Sequence, residues 1–495
     1  MLYKGQVLTP DAVHDMTAQN VRQVDKMNKD KVEATTDGSD RVLLDRDEMP
    51  TRYYNILADL PWAFPPPIHP GTKEPLGPEA LLPLFSKEVV MQEVSSERFI
   101  DIPGPVLEAY SQYGRPTPLQ RARRFEEALG TPAKIFFKRE DVSPTGSHKL
   151  NTALAQAYYA AREGVEGLVT ETGAGQWGSA LSLACSRFGL DCSVFMVRCS
   201  FTQKPFRRNV MELYGADVTP SPSDKTEFGR KLLSQDPDHP GSLGIAISEA
   251  VMTVMEGKGK LKYALGSVLN HVLLHQTIIG QEVMRQFEKL DLTPTHMVAC
   301  IGGGSNLGGF ILPMMAQRLK GKVDTKFSAV EPSLVASLGL GRYEYDFGDT
   351  AEVTPLIKMH TLGHKFIPAA IHAGGLRYHG AAPIISLLKH HGQLDAFAYP
   401  QDQTFEAGSL FARTEGIIPA PESCHAIRHA MEIALEAKKA GKAGNDQVIC
   451  FNLSGHGLLD LLGYGQFRSG ALSSEKMGNG VEMTSKRPIT AEEAK

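Results

Sequence analysis

The sequence predicts an α/β protein built on two doubly wound, open and largely parallel sheets. Short strand-like runs, such as GLVTET at 167–172 and HMVAC at 296–300, have the length of strands buried on both faces. Helical stretches follow such runs, for example 147–164, which starts near a serine and ends in a glycine. Glycine-rich turns such as GAGQWG at 173–178 join strand to helix. This alternation is typical of the class.

From residue 130 onward the elements follow in that order. Strands are predicted at AKIFFKRE (133–140), GLVTET (167–172), CSVFMVRC (192–199), HMVAC (296–300), FSAVEP (327–332) and QVICFNL (447–453), and helices at 147–164, 179–189 and 204–215. Open sheets of parallel strands bind their ligands at the carboxyl ends of the strands. The turns that follow these strands are therefore where the sequence predicts a site.

The first hundred residues differ from the rest of the chain. Residues 61–78, PWAFPPPIHPGTKEPLGP, are so rich in proline that they must run extended over a surface. We therefore predict that residues 1–100 form an extension wrapped on the core.

A polar, proline-spaced stretch at 225–265 predicts a junction between two domains. It would separate an N-terminal α/β domain (101–265) from a C-terminal α/β domain (266–470), which carries the candidate phosphate-binding loop. Residues 471–495 are predicted to be a flexible tail.

Composition narrows the class of protein. The net charge of −4 over 495 residues predicts neither a nucleic-acid partner nor an anionic membrane surface. No apolar run reaches the roughly 18–20 residues that span a bilayer, and the first residues lack the pattern of a secretory signal. These features predict a cytoplasmic protein. The six cysteines include no CxxC pair, so neither a disulfide framework nor a metal site is predicted.

The first candidate turn is SHKLN, with Lys149 at the predicted start of a helix. A helix N-terminus disfavours a charged ammonium group and lowers its pKa. A lysine of lowered pKa can form a Schiff base with a carbonyl compound. Taken alone, the same pattern also fits a surface lysine.

The second candidate turn is ETGAGQWG at 171–178. Its glycines allow the backbone to approach a small ligand, and successive N–H groups before a helix can bind a carboxylate. Glu171 would stand at the end of the strand, where it could transfer protons. The alternative is a tight turn with an incidental glutamate.

The third candidate turn is GGGSNLGG at 302–309, between a strand and a helix. Its bare backbone amides and the helix dipole predict a phosphate-binding loop. A dinucleotide is an alternative ligand, with Glu331 at the distance expected for contact with a ribose. Against that alternative, the third glycine of the dinucleotide fingerprint falls on Leu307.

The fourth candidate turn is NLSGHG at 452–457. The hydroxyl of Ser454, just after a strand, could contact a buried ring nitrogen. The alternatives are a simple turn or a nucleophile elbow, but Asn452 stands where the elbow motif requires its first glycine.

Together the four motifs resemble those of fold-type II enzymes that use pyridoxal phosphate (PLP), above all the tryptophan synthase β chains. GRPTPL (114–119), FKRED (137–141), KPFRRNVMELYGADV (204–218) and EGIIPAPESCHA (415–426) extend the resemblance over residues 100–465. The proline-rich extension, GSVLNHVLLHQTIIGQE and GGLRYHG are similar to the second, divergent subfamily of these β chains.

The resemblance implies a role for each matching residue. Lys149 and Glu171 would be catalytic, the first binding PLP and taking the substrate α-proton, the second acting as acid and base beside the β-carbon. The remaining cofactor-binding residues would be His148, Gln176, Gly302, Gly303, Gly304, Ser305, Asn306, Glu331 and Ser454. The substrate carboxylate would be held by Thr172, Gly173, Ala174, Gly175 and Gln176.

The resemblance also implies an activity. A neutral serine cannot keep the pyridine nitrogen of PLP protonated, so the ring is a weaker electron sink and rapid loss of a β-substituent is favoured. The expected reaction is L-serine plus indole giving L-tryptophan. A homodimer, a mobile lid at about 164–250 that excludes water and a monovalent cation held by backbone carbonyls are implied as well. A tight complex with an α subunit is not expected.

Two residues depart from the standard family pattern. Trp177 stands where that family has histidine, and Arg377 in GGLRYHG stands where it has an aspartate that contacts the substrate. One hypothesis is that Arg377 binds an anion, either the phosphate of O-phosphoserine as the donor or an internal carboxylate. The alternative is an ion pair that holds the lid.

Other activities remain open from the sequence. A PLP-dependent serine or threonine deaminase and an O-substituted serine sulfhydrylase share much of the motif set, but GAGQWG and the glutamate before it favour a β chain. An NAD-dependent dehydrogenase would use the 302–309 loop and Glu331 but leave Lys149 and Ser454 without a role.

Overall fold

A computed structural model describes residues 2–3, 6–7, 40–442 and 446–472. The part of the predicted extension at 8–39 and the predicted tail from 473 onward lie outside the described residues. In the part of the chain that the structure describes, no helix is long and apolar enough to cross a membrane.

The predicted strands and helices are present with small shifts at their ends. The strands are β1 (Leu2–Tyr3), β2 (Gln6–Val7), β3 (Arg41–Val42), β4 (Arg52–Tyr54), β5 (Phe99–Asp101), β6 (Leu119–Arg121), β7 (Lys134–Arg139), β8 (Gly167–Thr172), β9 (Asp191–Val197), β10 (Asp217–Ser221), β11 (Leu261–Tyr263), β12 (His296–Cys300), β13 (Lys326–Pro332), β14 (Arg342–Phe347), β15 (Leu356–Thr361), β16 (Asp395–Tyr399) and β17 (Val448–Leu453).

The α-helices alternate with these strands over most of the chain. They are α1 (Lys87–Glu93), α2 (Gly104–Gln112), α3 (Arg123–Leu129), α4 (Leu150–Glu163), α5 (Gln176–Phe188), α6 (Arg198–Gln203), α7 (Pro205–Leu213), α8 (Glu227–Gln235), α9 (Leu243–Glu256), α10 (Asn270–Gln276), α11 (Ile278–Lys289), α12 (Ser305–Leu319), α13 (Ser337–Leu340), α14 (Pro383–His390), α15 (Gln401–Glu415), α16 (Pro421–Lys439) and α17 (Leu461–Arg468).

Two open sheets carry the site. The larger sheet has the strand order β16-β13-β12-β17-β7-β6-β3. The five strands from β16 to β7 are parallel, β6 is antiparallel to β7, and β3 is antiparallel to β6. The smaller sheet has the order β10-β9-β8-β11 and is parallel throughout. Parallel strands with helical crossovers are buried on both faces, and all six residues of β8 and of β17 are buried.

Strand pairing crosses the boundary predicted at residue 265. Strand β7, from the N-terminal half of the chain, lies in the larger sheet beside β17, with Leu453 opposite Arg139. The smaller sheet contains only strands within 167–263, close to the segment expected as a lid. A linear division of the sequence misses this arrangement, because the register of long-range strand pairs leaves no local signal.

A network of buried charges ties β7 to α11. Arg115 donates to Glu140 (Nη1–Oε2, 2.9 Å) and to Glu282 (Nε–Oε1, 3.1 Å), and Lys138 Nζ lies 2.6 Å from Glu282 Oε2. Arg115 also donates to Asn151 Oδ1 (2.9 Å) in the first turn of α4. Buried charges of opposite sign compensate each other here, and the network fixes the start of the helix that follows Lys149.

The proline-rich segment is an ordered strap on the core. Ile68 forms a two-way backbone bridge with Leu356 of β15, with N–O distances of 2.9 and 3.2 Å. Tyr345 donates its hydroxyl to the carbonyl of Pro66 (3.0 Å), and the Trp62 ring stacks on His391 at 4.0 Å. The described part of the proline-rich segment therefore contacts the antiparallel β14–β15 hairpin.

Candidate active site

The carboxyl ends of the parallel strands surround one cavity of about 510 Å³. Strands β8, β12 and β17 each end at its wall, as expected for ligand sites in open α/β sheets. The predicted site residues that line it are His148, Lys149, Glu171, Thr172, Gly173, Ala174, Gln176, Gly302, Gly303, Gly304, Ser305, Asn306 and Ser454. The four sequence motifs are thus brought together from positions up to three hundred residues apart.

Lys149 occupies the N-cap position of α4. Its Nζ donates to the carbonyl of Gly266 (2.6 Å) and to Ser305 Oγ (3.0 Å). Burial lowers the pKa of Lys149 to about 8, against the opposing pull of the Glu171 carboxylate. The helix begins after Lys149 and not at Ser147, because Ser147 is held in a backbone bridge with Gly455.

His148 is a buried, uncharged neighbour of that lysine. Burial and the nearby ammonium lower its pKa to about 3. Nδ1 lies 3.2 Å from the carbonyl of Ser454 and Nε2 lies 3.2 Å from Ser305 Oγ. With Nδ1 donating to the carbonyl, Nε2 is left to accept from the serine hydroxyl, which fixes the tautomer.

The loop 302–304 approaches its surroundings so closely that only glycine fits. A Cβ on Gly303 would lie 2.7 Å from Ser267 Oγ, and one on Gly302 would lie 2.8 Å from the carbonyl of Gly375. Gly304 has a φ of +118° and caps α12. The loop therefore presents bare backbone at the N-terminus of a fifteen-residue helix, an arrangement that binds anions.

Ser454 and Asn306 are held by neutral partners. Ser454 Oγ lies 2.8 Å from Ser423 Oγ and 3.6 Å from Cys300 Sγ. Asn306 donates Nδ2 to the carbonyl of Cys300 (2.9 Å), and Asn452 donates to Asn306 Oδ1 (2.6 Å). A ring nitrogen facing Ser454 would thus meet a hydroxyl and not a carboxylate.

Glu171 is buried at the end of β8, and Tyr263 of β11 donates its hydroxyl to Glu171 Oε2. Burial raises the pKa of Glu171 to about 7, while the phenol hydrogen bond works in the opposite direction. A carboxyl group that titrates near neutral pH can both give and accept a proton. Tyr263 was not found from the sequence, because it lies on a three-residue strand inside the predicted domain junction.

The predicted carboxylate loop is folded around Thr172. Thr172 Oγ1 accepts from the backbone N–H groups of Gly175 and Gly178, both at 3.2 Å. Gly175 has a φ of +97°, and a Cβ there would lie 2.7 Å from Cβ of Arg207. Gly175 therefore faces away from the cavity and shapes the loop, whereas Gly173, Ala174 and Gln176 line the cavity.

Glu331 does not reach the cavity. Its carboxylate accepts hydrogen bonds from Leu338 N (2.8 Å), Gly339 N (3.0 Å) and Ser337 Oγ (3.2 Å). Burial raises its pKa to about 7, but the group serves the turn that follows β13. The structure therefore does not bring Glu331 to the place expected for a residue near a cofactor ring.

Glu422 is a glutamate that does reach the cavity. It lines the cavity at the start of α16, where Oε1 accepts from the backbone N–H of Gly375 (2.8 Å) and the buried Oε2 has no hydrogen-bond partner within the described ranges. It lies in the EGIIPAPESCHA stretch, but a glutamate in the first turn of a helix is too common to stand out.

Arg377 lies behind the cavity wall. Its guanidinium donates to Ser200 Oγ (2.5 Å) and Cys199 Sγ (3.1 Å), both on α6 beside the smaller sheet. It does not line the main cavity. These contacts join the GGLRYHG segment to the predicted lid. Among the described contacts of Arg377, none is with a carboxylate.

Trp177 closes the inner wall. Its Nε1 donates to Thr170 Oγ1 (2.7 Å), and its ring packs so tightly on Gly266 that a Cβ there would lie 2.4 Å from it. Gly266 in turn accepts the hydrogen bond from Lys149. The tryptophan that replaces the family histidine therefore holds the carbonyl that orients the lysine.

Comparison with known proteins shows the family of this chain. A sequence model for pyridoxal-phosphate dependent enzymes matches residues 110–455, and the chain belongs to that family. Solved structures share the fold: threonine deaminase isoform 2 from Solanum lycopersicum (TM-score 0.54, 18% identity, 84% of this chain and 98% of that one) and a fungal L-serine ammonia-lyase from Rhizomucor miehei (TM-score 0.54, 16% identity, 72% and 98%). The predicted fold class is confirmed.

More similar relatives are named tryptophan synthase beta chain 2. That of Aeropyrum pernix is 59% identical over 427 residues, covering 86% of this chain and 94% of the relative. Those of Thermotoga maritima (59%, covering 86% and 99%) and Methanosarcina mazei (57%, covering 87% and 97%) match over similar lengths. The resemblance inferred from the motifs is confirmed.

The residues present fit PLP. The glycine loop leaves room at its backbone for a phosphate, and Lys149 Nζ reaches the same cavity. Two buried polar atoms in the cavity wall, Ser147 Oγ and Glu422 Oε2, have no partner among the described residues. Buried polar atoms are rarely left unpaired in folded proteins, so these two indicate a polar ligand.

We predict that Tyr263→Phe raises the pKa of Glu171. Removing a hydrogen bond to a charged group costs about 1.5–3 kcal/mol, which corresponds to about one to two pH units. Glu171 loses its carboxylate form as the pH falls through its pKa. The acid limb of the plot of kcat against pH should therefore move to higher pH by the same amount. A pH–rate profile checks this.

The matched control for that profile is Tyr378→Phe. The Tyr378 phenol also lines the cavity but donates to the carbonyl of Gly348 (2.9 Å) and not to a carboxylate. Its profile should keep the wild-type midpoint. Equal shifts in both variants would show that the effect comes from general repacking.

Proposed function

We propose that the protein replaces the β-substituent of L-serine with indole, giving L-tryptophan and water, with PLP as cofactor. The observation that carries the proposal is that Lys149 and Glu171, with pKa values of about 8 and about 7, face one cavity beside a glycine phosphate loop. The names of the relatives support the same reaction.

When bound, PLP would supply the electron sink that weakens the bonds at the substrate α- and β-carbons. The backbone of 302–304 and Ser305 would hold its phosphate, and Lys149 would bind its carbonyl carbon. Ser454 would face the ring nitrogen without a charge, and Glu422 would stand beside the ring. Together these residues would fix the orientation of the cofactor.

The chain's own side chains would then move the protons. Lys149, with its lowered pKa, would accept the substrate α-proton at Nζ. Glu171 would give a proton to the departing hydroxyl group and later take one from the indole ring at its carboxylate. The backbone amides of Gly173, Ala174 and Gln176 would hold the substrate carboxylate.

Closure of the smaller sheet would keep water out of this site. The predicted lid at about 164–250 carries α6 and α7. This segment contacts the rest of the chain through Ser200, which accepts from Arg377, and through Lys204 between the two helices, whose Nζ lies 2.6 Å from Asp460 Oδ1. Asp460 also accepts from Arg207 (3.1 Å). These buried contacts support a closed position of the lid.

A spectrum of the purified protein tests the proposal. The visible band of lysine-bound PLP should change on adding L-serine, and L-tryptophan should form on adding indole. A band that responds to serine but yields only pyruvate would favour a serine or threonine deaminase, and reaction with sulfide in place of indole would favour an O-substituted serine sulfhydrylase. If the protein showed no PLP band and bound NAD, the result would favour an NAD-dependent dehydrogenase.

The donor is addressed by Arg377→Ala. Because the guanidinium contacts α6 and does not line the cavity, we expect turnover with L-serine and with O-phosphoserine to fall alike, by roughly tenfold for two lost hydrogen bonds. Steady-state kinetics with both donors check this. A loss confined to O-phosphoserine would instead support the anion-binding hypothesis for this residue.

The assembly and location of the protein follow the same proposal. We infer a cytoplasmic homodimer with small-molecule substrates and no tight complex with an α subunit. A monovalent cation on backbone carbonyls belongs to the expectation as well. Sedimentation of the holoenzyme, alone and mixed with an α subunit, tests the assembly.

A further inference from the structure

A strained backbone turn lies beside the catalytic lysine and the phosphate loop. Its central residue, Val268, has a φ of +76°, a conformation that β-branched residues rarely adopt. Across it, the backbone N–H of Leu269 donates to the carbonyl of Ser267 (3.0 Å), so the turn is a γ-turn of the rare form with positive φ. Such backbone strain persists only where the surroundings hold it, and it collects at functional sites.

The turn contacts both groups that would hold PLP. The carbonyl of Gly266 accepts from Lys149 Nζ (2.6 Å), and Ser267 Oγ accepts from the backbone N–H of Ser305 (3.1 Å) at the start of α12. The central side chain packs so closely on Gly303 that a Cβ there would lie 2.8 Å from its Cγ2. A shift of the turn would therefore move the lysine's acceptor and the support of the phosphate loop together.

The residue before the turn is fixed by the helix that follows the lysine. Gln156 of α4 donates Nε2 to the carbonyl of Leu265 (2.9 Å), and its Oε1 accepts from the backbone N–H of Leu265 (3.1 Å). Both residues are buried. One side of the turn is therefore held by the same helix that carries Lys149 at its N-cap.

The other side of the turn is fixed by the N-terminal extension. Glu93, the last residue of α1, accepts from the backbone N–H groups of Asn270 (3.1 Å) and His271 (2.9 Å), and its Oε2 lies 2.7 Å from His271 Nδ1. Asn270 Nδ2 donates back to the Glu93 carbonyl (3.2 Å). The backbone N–H groups belong to the first turn of α10, where they have no partner within the helix. A single carboxylate thus holds the backbone directly after the strained turn.

The neighbour of that glutamate reaches the helix of the lysine. Gln92 Oε1 lies 2.6 Å from His275 Nε2, and His275 Nδ1 lies 3.0 Å from Thr152 Oγ1 on α4. All three side chains are buried, and hydrogen bonds are stronger in such low-dielectric surroundings. The end of α1 is therefore bonded to α10 and, through His275, to α4.

We propose that Glu93 is a positioning residue of the active site. It holds the strained turn so that the carbonyl of Gly266 faces Lys149 and Ser267 supports the phosphate loop. The N-terminal extension is then part of the cofactor site and not only a cover over it. This proposal rests on the role of Lys149 in the proposed function, but it is independent of the donor and of the acceptor.

Glu93→Gln tests the proposal with purified holoenzyme. The amide keeps one acceptor oxygen and turns an N–H group toward a backbone N–H, so part of the hold on 270–271 is lost. The dissociation constant of PLP should rise about tenfold, as for loss of a charge-assisted hydrogen bond. The Gly266 carbonyl favours the charged form of the Lys149 nitrogen, so the pH midpoint of the lysine-bound PLP band should fall by about one unit. Equilibrium dialysis and absorbance titration measure these effects.

Glu88→Gln is the matched control. Glu88 lies on the same helix, is exposed and does not line the cavity. Its substitution removes the same charge from α1 without touching the turn. PLP affinity and the pH midpoint of the band should therefore both match the wild type. Equal losses in Glu88→Gln and Glu93→Gln would overturn the proposal, because the charge of the extension would then be the cause.

Val268→Gly tests the part played by strain. Glycine adopts a positive φ freely, so the turn no longer needs an outside restraint. In the Val268→Gly background, Glu93→Gln should weaken PLP binding by less than about threefold, a coupling that a double-mutant cycle resolves. The same loss in both backgrounds would overturn the role of strain.

Two further results decide the proposal. Wild-type PLP affinity and band midpoint in Glu93→Gln, even with a lower Tm, would overturn it, because Glu93 would then only anchor the extension. If the wild type showed no lysine-bound PLP, the proposed function would fail. Hydrogen exchange at the amides of 269–271 would still decide the hold on the turn: faster exchange in Glu93→Gln supports it, and unchanged exchange overturns it.

Discussion

Lys149→Ala is expected to abolish the visible PLP band and to lower tryptophan formation by at least about 10⁴-fold, the upper end for one positioned proton-transfer group. Alanine removes both the amine that binds the cofactor and the base that accepts the α-proton. No neighbouring amine can replace it, because the described residues that line the cavity include no second lysine. Absorbance and turnover of the reconstituted variant check this.

The phosphate loop should still bind the cofactor in Lys149→Ala. The loop is built from backbone held by glycine contacts, so Lys149→Ala should still bind PLP noncovalently. Equilibrium dialysis of PLP against the variant should show retained but weaker binding. An unchanged visible band in Lys149→Ala would show that another lysine carries the cofactor and that the site is misassigned.

Glu171→Gln is expected to lower kcat for tryptophan formation by about 10²–10⁴-fold, the usual contribution of a general acid–base group. The amide keeps the shape of the side chain but cannot take the ring proton. Binding of PLP and serine should persist, because Lys149 and the phosphate loop are unchanged. Stopped-flow spectra with serine alone and then with indole separate these steps.

Glu331→Gln is the matched control for Glu171→Gln. Both glutamates are buried and both have a pKa of about 7, but only Glu171 lines the cavity. Glu331→Gln should lower stability through its bonds to residues 337–339 and leave the pH dependence of kcat unchanged. If Glu331→Gln changed the pH dependence of kcat and Glu171→Gln did not, the roles of the two carboxyl groups would have to be exchanged.

Local patterns were sufficient to predict six of the strands of the two large sheets and the four turns with their candidate residues. Lys149 begins a helix, whereas Glu171 and Ser454 end or directly follow a buried strand. The carboxyl ends of parallel strands are where open sheets bind ligands, and those ends of both sheets face the same cavity. The glycines at 302–304 were also predictable, since three in succession before a helix leave bare backbone for an anion.

Side-chain direction at the ends of elements was not predictable. Glu331 and Glu422 both stand at such ends, and only tertiary packing decides that the first turns toward Leu338 and the second toward Gly375. Tyr263 was missed because its three-residue strand is defined by its pairing with β8, and the sequence around Tyr263 gives no sign of that pairing. The same limit explains why the division at residue 265 separates β7 from β17, its neighbour in the larger sheet.

The order of the larger sheet has a consequence for synthesis on the ribosome. Strand β17, made close to the end of the chain, lies between β12 and β7. Until residue 453 has emerged, both of those strands lack their shared neighbour and expose unpaired edges, which are prone to pairing with other chains. The edge of β7 is therefore unpaired from residue 139 and that of β12 from residue 300 until residue 453 has been made. A chain cut short before β17 would leave its sheet in two unjoined parts.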